Sequence, residues 1–206
     1  MTDMTRWEMT LMRKLTVSTI ASLDGYVEGP GKDVTALPFD DGFSAYNVQR
    51  LRAAGILLSG RRSFEDFRDY WPAVVDDETQ GATEREISRL NNAIEKVVIS
   101  DTLTAAETAP WEDTTRIVRR DDAAEAVRAL KAQDGGDIFV AGSRTTWNAL
   151  LVEGLVDELH VMVGPALLGA GTPLIGDPGP VPLQLLEARL LPNSQLVLLR
   201  YAPHLD

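Results

Sequence analysis

Cysteine is absent from this 206-residue sequence, and histidine occurs only twice. The lack of cysteine excludes disulfide bonds, thiolate catalysis and zinc sites built on cysteine ligands. With only His160 and His204, one chain cannot form a three-histidine metal site. We therefore predict no bound metal, and we interpret His160 as a core or edge histidine of a strand and His204 as a tail residue.

The sequence also lacks a long apolar run and an excess of basic residues. A membrane-spanning helix needs roughly 18 consecutive apolar residues, so we predict no membrane partner. Lys and Arg total 20 against 31 Asp and Glu, a net charge of −11. A nucleic-acid-binding face needs a basic patch, so no nucleic-acid partner is expected. The N-terminal segment has no apolar core of a secretion signal, and we expect a cytoplasmic protein.

The composition is that of an ordinary folded domain. Hydrophobic residues make up 44% of the chain and charged residues 25%, as in typical globular proteins. The length fits one domain. We predict a flexible N-terminal extension over residues 1–11 and a single domain over residues 12–206.

Strand patterns alternate with helix patterns along the chain. Strands are predicted over residues 15–20, 55–60, 96–100, 115–118, 138–141, 158–163, 183–190 and 195–200. Helices are predicted from Asp40 or Asp41 to Ala53, over 63–70, after a Thr83–Glu86 capping box, over 123–133 and from Ser143 to Glu153. This order predicts an α/β fold in three layers, with a mostly parallel mixed sheet, helices on both faces and a C-terminal antiparallel hairpin at one edge.

Two segments share one arrangement that suits a phosphate group. In each, a buried strand ends at a glycine, Gly60 or Gly142, and arginine and hydroxyl residues then begin a helix. A helix start offers free N–H groups and positive potential to an anion, and Arg61, Arg62 and Arg144 add charge. Turns of this kind at parallel strands would face one crevice, wide enough for a dinucleotide diphosphate. The alternative is that both are structural helix starts.

These segments, taken with others in the same order, resemble the dihydrofolate-reductase-like superfamily. The resemblance is greatest to the C-terminal reductase domain of the riboflavin-biosynthesis deaminase/reductase and its stand-alone relatives. The matching motifs are Ala21-Ser22-Leu23-Asp24-Gly25, Gly60-Arg61-Arg62-Ser63-Phe64-Glu65, Lys96-Val97-Val98-Ile99-Ser100, Ala141-Gly142-Ser143, and Gly154 to Leu159 with its continuation Pro165 to Gly171. They extend over roughly residues 13–201.

The resemblance implies a reductase that uses NADPH, often as a homodimer, on a small molecule. The residues that it places at the cofactor are Ala21, Gly60, Arg61, Arg62, Ser63, Ser100, Ala141, Gly142, Ser143, Arg144 and Thr145. It also implies a cis peptide bond at Ala141–Gly142. Asp101 departs from the pattern, because a carboxylate beside Ser100 would repel a 2′-phosphate; NADH therefore stays possible.

Carboxylates could relay a proton to the substrate if burial raises their pKa. By position the candidates are Asp24 and Asp41, with Asp40 next to it. Dihydrofolate reduction, binding of a dinucleotide or a flavin without turnover, and a scaffold with an empty crevice remain alternatives. The apolar segment Leu183–Leu191 predicts a dimer interface, unless a helix of the same chain covers it.

Overall fold

The computed structural model describes residues 12–176 and 179–204; the predicted extension over residues 1–11 lies outside them. The strands are β1 (Leu15–Ala21), β2 (Tyr26–Glu28), β3 (Ala54–Gly60), β4 (Glu95–Ile99), β5 (Thr115–Val118), β6 (Asp137–Ala141), β7 (Glu158–Val163), β8 (Thr172–Pro173), β9 (Leu183–Leu190) and β10 (Val197–Pro203). The α-helices are α1 (Asp41–Ala53), α2 (Arg61–Val74), α3 (Ala82–Ala93), α4 (Ala123–Lys131) and α5 (Arg144–Val152).

The main sheet has eight strands in the order β5-β4-β3-β6-β1-β7-β10-β9. Strands β1 and β3 to β7 pair in parallel, and β10 pairs antiparallel with both β7 and β9. The short strands β2 and β8 form a separate antiparallel ribbon. This topology confirms the predicted α/β fold with a C-terminal antiparallel hairpin.

Alternating side chains of the parallel strands fill two cores, one on each face of the sheet. On one face Val17 and Val140 pack with Trp147 of α5 and Leu130 of α4. On the other face α1, α2 and α3 cover the sheet, and Phe139 packs among their apolar residues. Because both faces are covered, β1 is buried at every residue, including the polar Thr16, Ser18 and Thr19.

Two helix starts differ from the sequence prediction. Helix α2 begins at Arg61 and continues to Val74, beyond both predicted ends, and Pro72 lies inside its last turn. The predicted capping box does not form, because α3 begins at Ala82 after Gly81 and its start has no side-chain cap. Thr83 therefore lies inside the first turn, where its hydroxyl cannot act as an N-cap.

The β9–β10 hairpin extends past the helices and leaves apolar side chains exposed. Leu185, Leu186 and Leu190 are 53%, 44% and 63% exposed, and Val197 on the paired strand is 39% exposed. Within the described residues, no helix packs over these side chains. The alternative, that a helix of the same chain covers this segment, is therefore not observed. Contiguous apolar surface of this kind is typical of a protein interface.

Candidate cofactor crevice

The two glycine turns lie side by side at the carboxyl edge of the sheet. Strands β3 and β6 are neighbours, and the backbone N–H of Gly60 donates to Ser143 Oγ at 3.3 Å. A Cβ at Gly60 would lie 2.6 Å from Thr146 Oγ1, closer than side chains approach. The absence of a side chain at Gly60 is therefore what lets the two turns meet.

Both helices that leave these turns begin without a side-chain cap. Neither Gly60 before α2 nor Ser143 before α5 supplies a capping hydrogen bond to its own helix. The prediction that Ser143 caps its helix is therefore wrong, because its hydroxyl accepts from Gly60 instead. Uncapped helix starts keep N–H donors and positive potential for an anion.

The turn after β6 uses left-handed backbone where the resemblance implied a cis bond. Gly142 has φ +61° and Ser143 has φ +48°. Within the described ranges the one cis bond is Ala109–Pro110, so the expected cis bond at Ala141–Gly142 is wrong. Glycine adopts positive φ at little cost, whereas a non-proline cis bond costs about 3 kcal/mol.

The arginines of the crevice already have protein partners. Arg61 contacts Glu65 and Glu107, each at 2.8 Å, and donates to Thr102 Oγ1 at 3.0 Å. Two carboxylates thus neutralise Arg61, and they raise its pKa, Glu65 most strongly.

The other two arginines contact the β2–β8 ribbon. Arg62 lies 3.2 Å from Glu28 of β2, and Arg144 Nε donates to the carbonyl oxygen of Pro173 in β8. Thr145, the next residue of α5, is exposed.

The carboxyl end of β4 brings Asp101 to two arginines that were not among the predicted site residues. Ser100 is buried, and its hydroxyl accepts from the N–H groups of Thr102 and Leu103. Asp101 accepts from the Arg120 N–H at 3.1 Å and lies within 4 Å of the guanidinium groups of Arg119 and Arg120. The signal was present in the sequence, because both arginines directly follow the predicted strand 115–118.

Asp24 fastens the segment after β7 to the turn after β1. Its carboxylate accepts from Ser22 Oγ at 2.6 Å, from Gly169 N at 2.7 Å and from Leu168 N at 3.1 Å. These bonds, the one from Ser22 first, lower the pKa of Asp24 to about 2. A carboxyl group with so low a pKa is a poor proton donor near neutral pH.

Asp40 and Asp41 lie at the start of α1. Asp40 is the N-cap of the helix and accepts from Phe43 N at 3.0 Å, and its second oxygen accepts from Ser194 Oγ at 2.6 Å. Asp41 is the first helical residue and is exposed. Asp40 borders a cleft of about 430 Å³, whose lining residues are Pro38, Asp40, Pro165, Asn193, Ser194 and Gln195.

A second cleft, of about 240 Å³, lies at the carboxyl ends of β1 and β7 and is almost wholly apolar. Ala21 and Ser22 border it together with Leu159, Val161 and Leu199. The resemblance places Ala21 at the cofactor, so this cleft adjoins the predicted nicotinamide end of the crevice.

His160 is fully buried away from this edge, which confirms its interpretation as a core histidine. Its Nδ1 is 2.8 Å from Tyr46 Oη and its Nε2 is 2.9 Å from Glu158. Burial lowers the pKa of His160. Within the described residues, no cluster of side chains could hold a metal ion, and no helix is long and apolar enough to cross a membrane.

Comparison with known proteins identifies the family. The family model described as the RibD C-terminal domain matches residues 13–197, and the chain belongs to this family. The RibD C-terminal domain is a reductase domain, so the prediction of an oxidoreductase is confirmed at this level.

One curated protein and several solved structures are similar over most of the chain. The uncharacterized protein YyaP of Bacillus subtilis (strain 168) is 30% identical over 167 residues, which is 80% of this chain and 81% of that protein. A pyrimidine reductase-like protein of Corynebacterium diphtheriae aligns with a TM-score of 0.58 at 16% identity, over 98% of this chain and 96% of that one.

A longer Thermotoga maritima protein, a diaminohydroxyphosphoribosylaminopyrimidine deaminase/5-amino-6-(5-phosphoribosylamino)uracil reductase, aligns with a TM-score of 0.62 at 12% identity. The match takes in 94% of this chain and 57% of that one, so this chain spans little more than half of the longer protein. These two structural similarities support the fold.

Proposed function

We propose that this chain is an NADPH-dependent reductase of a small pyrimidine-like molecule, in the manner of the riboflavin-pathway reductase domain. One observation carries the proposal: two uncapped helix starts face each other across Gly60 and Ser143 at the carboxyl edge of the sheet. Their N–H groups suit a diphosphate. The nicotinamide, when bound, supplies the hydride, and the chain's residues supply binding and orientation.

The diphosphate would lie between the two turns. Gly60 to Ser63 would contact it from the α2 side and Ala141 to Thr145 from the α5 side. Ala21 and Ser22, at the end of β1, would border the nicotinamide. The cleft beside them is lined almost wholly by apolar side chains, an environment in which a bound nicotinamide would meet few polar groups.

Arg119 and Arg120 favour NADPH over NADH. The repulsion expected from Asp101 is offset, because its carboxylate contacts both guanidinium groups. Asp101 thus has two cationic partners, and these lie just after β5, next to the end of β4 and Ser100. A 2′-phosphate placed there would gain charge-assisted hydrogen bonds.

The proton donor stays a prediction. The contacts of Asp24 favour a role in holding the segment after β7, whereas exposed Asp41 has no such constraint. Dihydrofolate reduction would require an acid at the start of α1, and Asp40, beside the cleft of about 430 Å³, is the residue that this second candidate would use.

A homodimer through β9 and β10 is part of the proposal. The exposed leucines of β9 form a strip beside the apolar side chains of β10, and burying such a strip against a second copy would remove it from water. The cytoplasmic location stays a prediction.

Ligand-dependent stability tests the proposal. A cofactor at about 100 times its Kd should stabilise the protein by roughly 2.7 kcal/mol, so NADPH should raise the melting temperature clearly and NADH less. Arg119→Ala/Arg120→Ala should remove the preference, and Asp101→Arg should increase it.

Oxidation of NADPH is then followed with the riboflavin-pathway aminopyrimidine and with dihydrofolate. No shift with either cofactor would contradict the proposal, and a shift without turnover of any substrate would favour a non-catalytic binding protein.

A further inference from the structure

The β2–β8 ribbon lies across the carboxyl edge of the sheet and is tied to both glycine turns. Glu28 pairs with Thr172 in the ribbon, and Leu174 N donates to the Gly25 carbonyl at 2.8 Å. From the main body, Arg62 contacts the ribbon at Glu28 and Arg144 contacts it at Pro173. The two arginines at the helix starts therefore serve as anchors of the ribbon.

Glu28 is the one anion in this anchor. Its side chain is 17% exposed; one oxygen accepts from Thr172 Oγ1 at 2.9 Å and the other lies 3.2 Å from the Arg62 guanidinium. Arg62 follows directly after the first residue of α2, so the Glu28 carboxylate lies beside an uncapped helix start. In this position the Glu28 carboxylate pairs with the Arg62 guanidinium, which is the group that an incoming phosphate would also bind.

We propose that Glu28 competes with the cofactor diphosphate for Arg62, so that cofactor binding releases the ribbon from α2. This inference rests on the proposed function, because it assumes a diphosphate in the crevice. Arg62 is 54% exposed, and ion pairs at such exposed positions are weak. A diphosphate carries more charge and more acceptors than one carboxylate, so it displaces Glu28.

Glu28 therefore reduces cofactor affinity in the free protein and holds the ribbon closed until the crevice is filled. The opposite arrangement, in which Glu28 only positions Arg62 for the cofactor, makes the opposite prediction: loss of the carboxylate would weaken binding. The sign of the change in affinity separates the two.

The test uses Glu28→Gln in the full chain. The amide oxygen of glutamine can still accept from Thr172, while the charge on Arg62 loses its partner. Calorimetric titration with pyrophosphate and with NADPH should show roughly two- to fivefold tighter binding of both, the size expected for an exposed ion pair. Hydrogen exchange at residues 26–28 and 171–176 should be faster in the free variant than in the wild type.

The matched control is Glu86→Gln. Glu86 forms an ion pair with Arg52 at 2.7 Å between α3 and α1, away from the crevice. The Glu86→Gln substitution removes the same charge from the same kind of contact. It should leave the affinity for pyrophosphate and the hydrogen exchange of the ribbon unchanged. Equal gains in both variants would mean that net charge alone is responsible, and would overturn the competition.

A second measurement needs no variant: saturating pyrophosphate should accelerate exchange of the ribbon in the wild-type protein. Protection of the ribbon, or unchanged or weaker binding by Glu28→Gln, would overturn the inference. Tighter pyrophosphate binding without any NADPH binding would support the competition and contradict the proposed cofactor. If neither protein binds either ligand, both proposals fail.

Discussion

The two edges of the sheet use charged residues in opposite ways. At the amino edge, Glu158 accepts from Lys14, His160 and Arg200 within 2.9 Å, and its side chain is only 10% exposed. At the carboxyl edge, Arg62 is 54% exposed, and its contact with Glu28 lies beside a helix start that has no cap. Charges that are mutually saturated and buried stabilise a fold, whereas exposed charges beside free N–H groups are available to a ligand. The comparison predicts that substitutions at the first edge change stability and those at the second change binding.

Glu158→Ala should give the largest effect. It would remove the shared acceptor of Lys14, Arg200 and buried His160. Because Lys14 and Arg200 are 60% and 29% exposed, water compensates them in part, and we expect a cost of about 3 kcal/mol. Urea unfolding at pH 7 measures the loss. Glu187→Ala, which removes the more exposed second partner of Arg200 at 3.0 Å, should cost much less.

Glu158 should also make the free energy of unfolding fall at acid pH. The hydrogen bond with His160, followed by those with Arg200 and Lys14, lowers the pKa of Glu158 below its ordinary 4.5, against the effect of burial. A lowered carboxyl pKa means that the stabilisation is present above the unfolded pKa and is lost as pH falls below it. Glu158→Gln should therefore flatten stability below pH 4.5. An unchanged acid limb would contradict this role.

Lys96→Met should produce the next largest change in the free energy of unfolding, and this change is best measured as a function of pH. Lys96 is 1% exposed, its ammonium donates to the Ile94 carbonyl and Thr114 Oγ1, and burial lowers its pKa from 10.5 to about 8. The unfolded chain binds more protons between these values, so wild-type stability should rise by roughly 3 kcal/mol from pH 8 to 10.5. The penalty of the buried charge is fully present below pH 8. Denaturant unfolding of the methionine variant should lack this rise, and a parallel rise in both proteins would rule out Lys96 as its source.

Sequence patterns predicted the layers and the two glycine-ended strands, because both follow from local periodicity and parallel topology. The glycine-ended strands 55–60 and 138–141 are the two neighbours whose turns meet. The partners of individual side chains could not be predicted, because they depend on which loops return to the edge. Nothing in the sequence around Asp24 indicates that the backbone N–H groups of Leu168 and Gly169, 144 and 145 residues further along the chain, donate to it.

The capping residues show the same limit in another form. Asp40 caps α1 as the pattern predicts, since its oxygen needs only the N–H of Phe43 three residues later. Ser143 follows an equally suitable pattern, but its hydroxyl oxygen accepts from the backbone N–H of Gly60 across the crevice instead. Local rules hold until a neighbouring strand offers a competing partner.

Gly60→Ala tests the carboxyl edge with a smaller effect. The new Cβ would meet Thr146 Oγ1 at 2.6 Å and separate the two turns. We expect NADPH affinity to fall about tenfold, which corresponds to about 1.4 kcal/mol, with a smaller change in the free energy of unfolding. Thermal-shift titration or calorimetry measures both. Thr146→Ala should rescue the binding in the double variant, whereas Gly55→Ala, crowded by Gly136 at the amino edge, should affect stability alone.

Asp24→Asn should have the smallest effect, and it separates the two roles open to this residue. With its pKa lowered to about 2 by Ser22, Gly169 and Leu168, Asp24 stays ionised across the range in which such an enzyme is assayed. An asparagine keeps one acceptor for these donors, so KM should change by about threefold or less and the pH–rate profile should keep its shape. Faster proteolysis between residues 165 and 171 would report the weakened anchor. If a limb of the profile disappeared in Asp24→Asn but remained in Asp41→Asn, Asp24 would relay the proton despite its contacts, and the carboxyl edge would then hold an acid as well as a phosphate site.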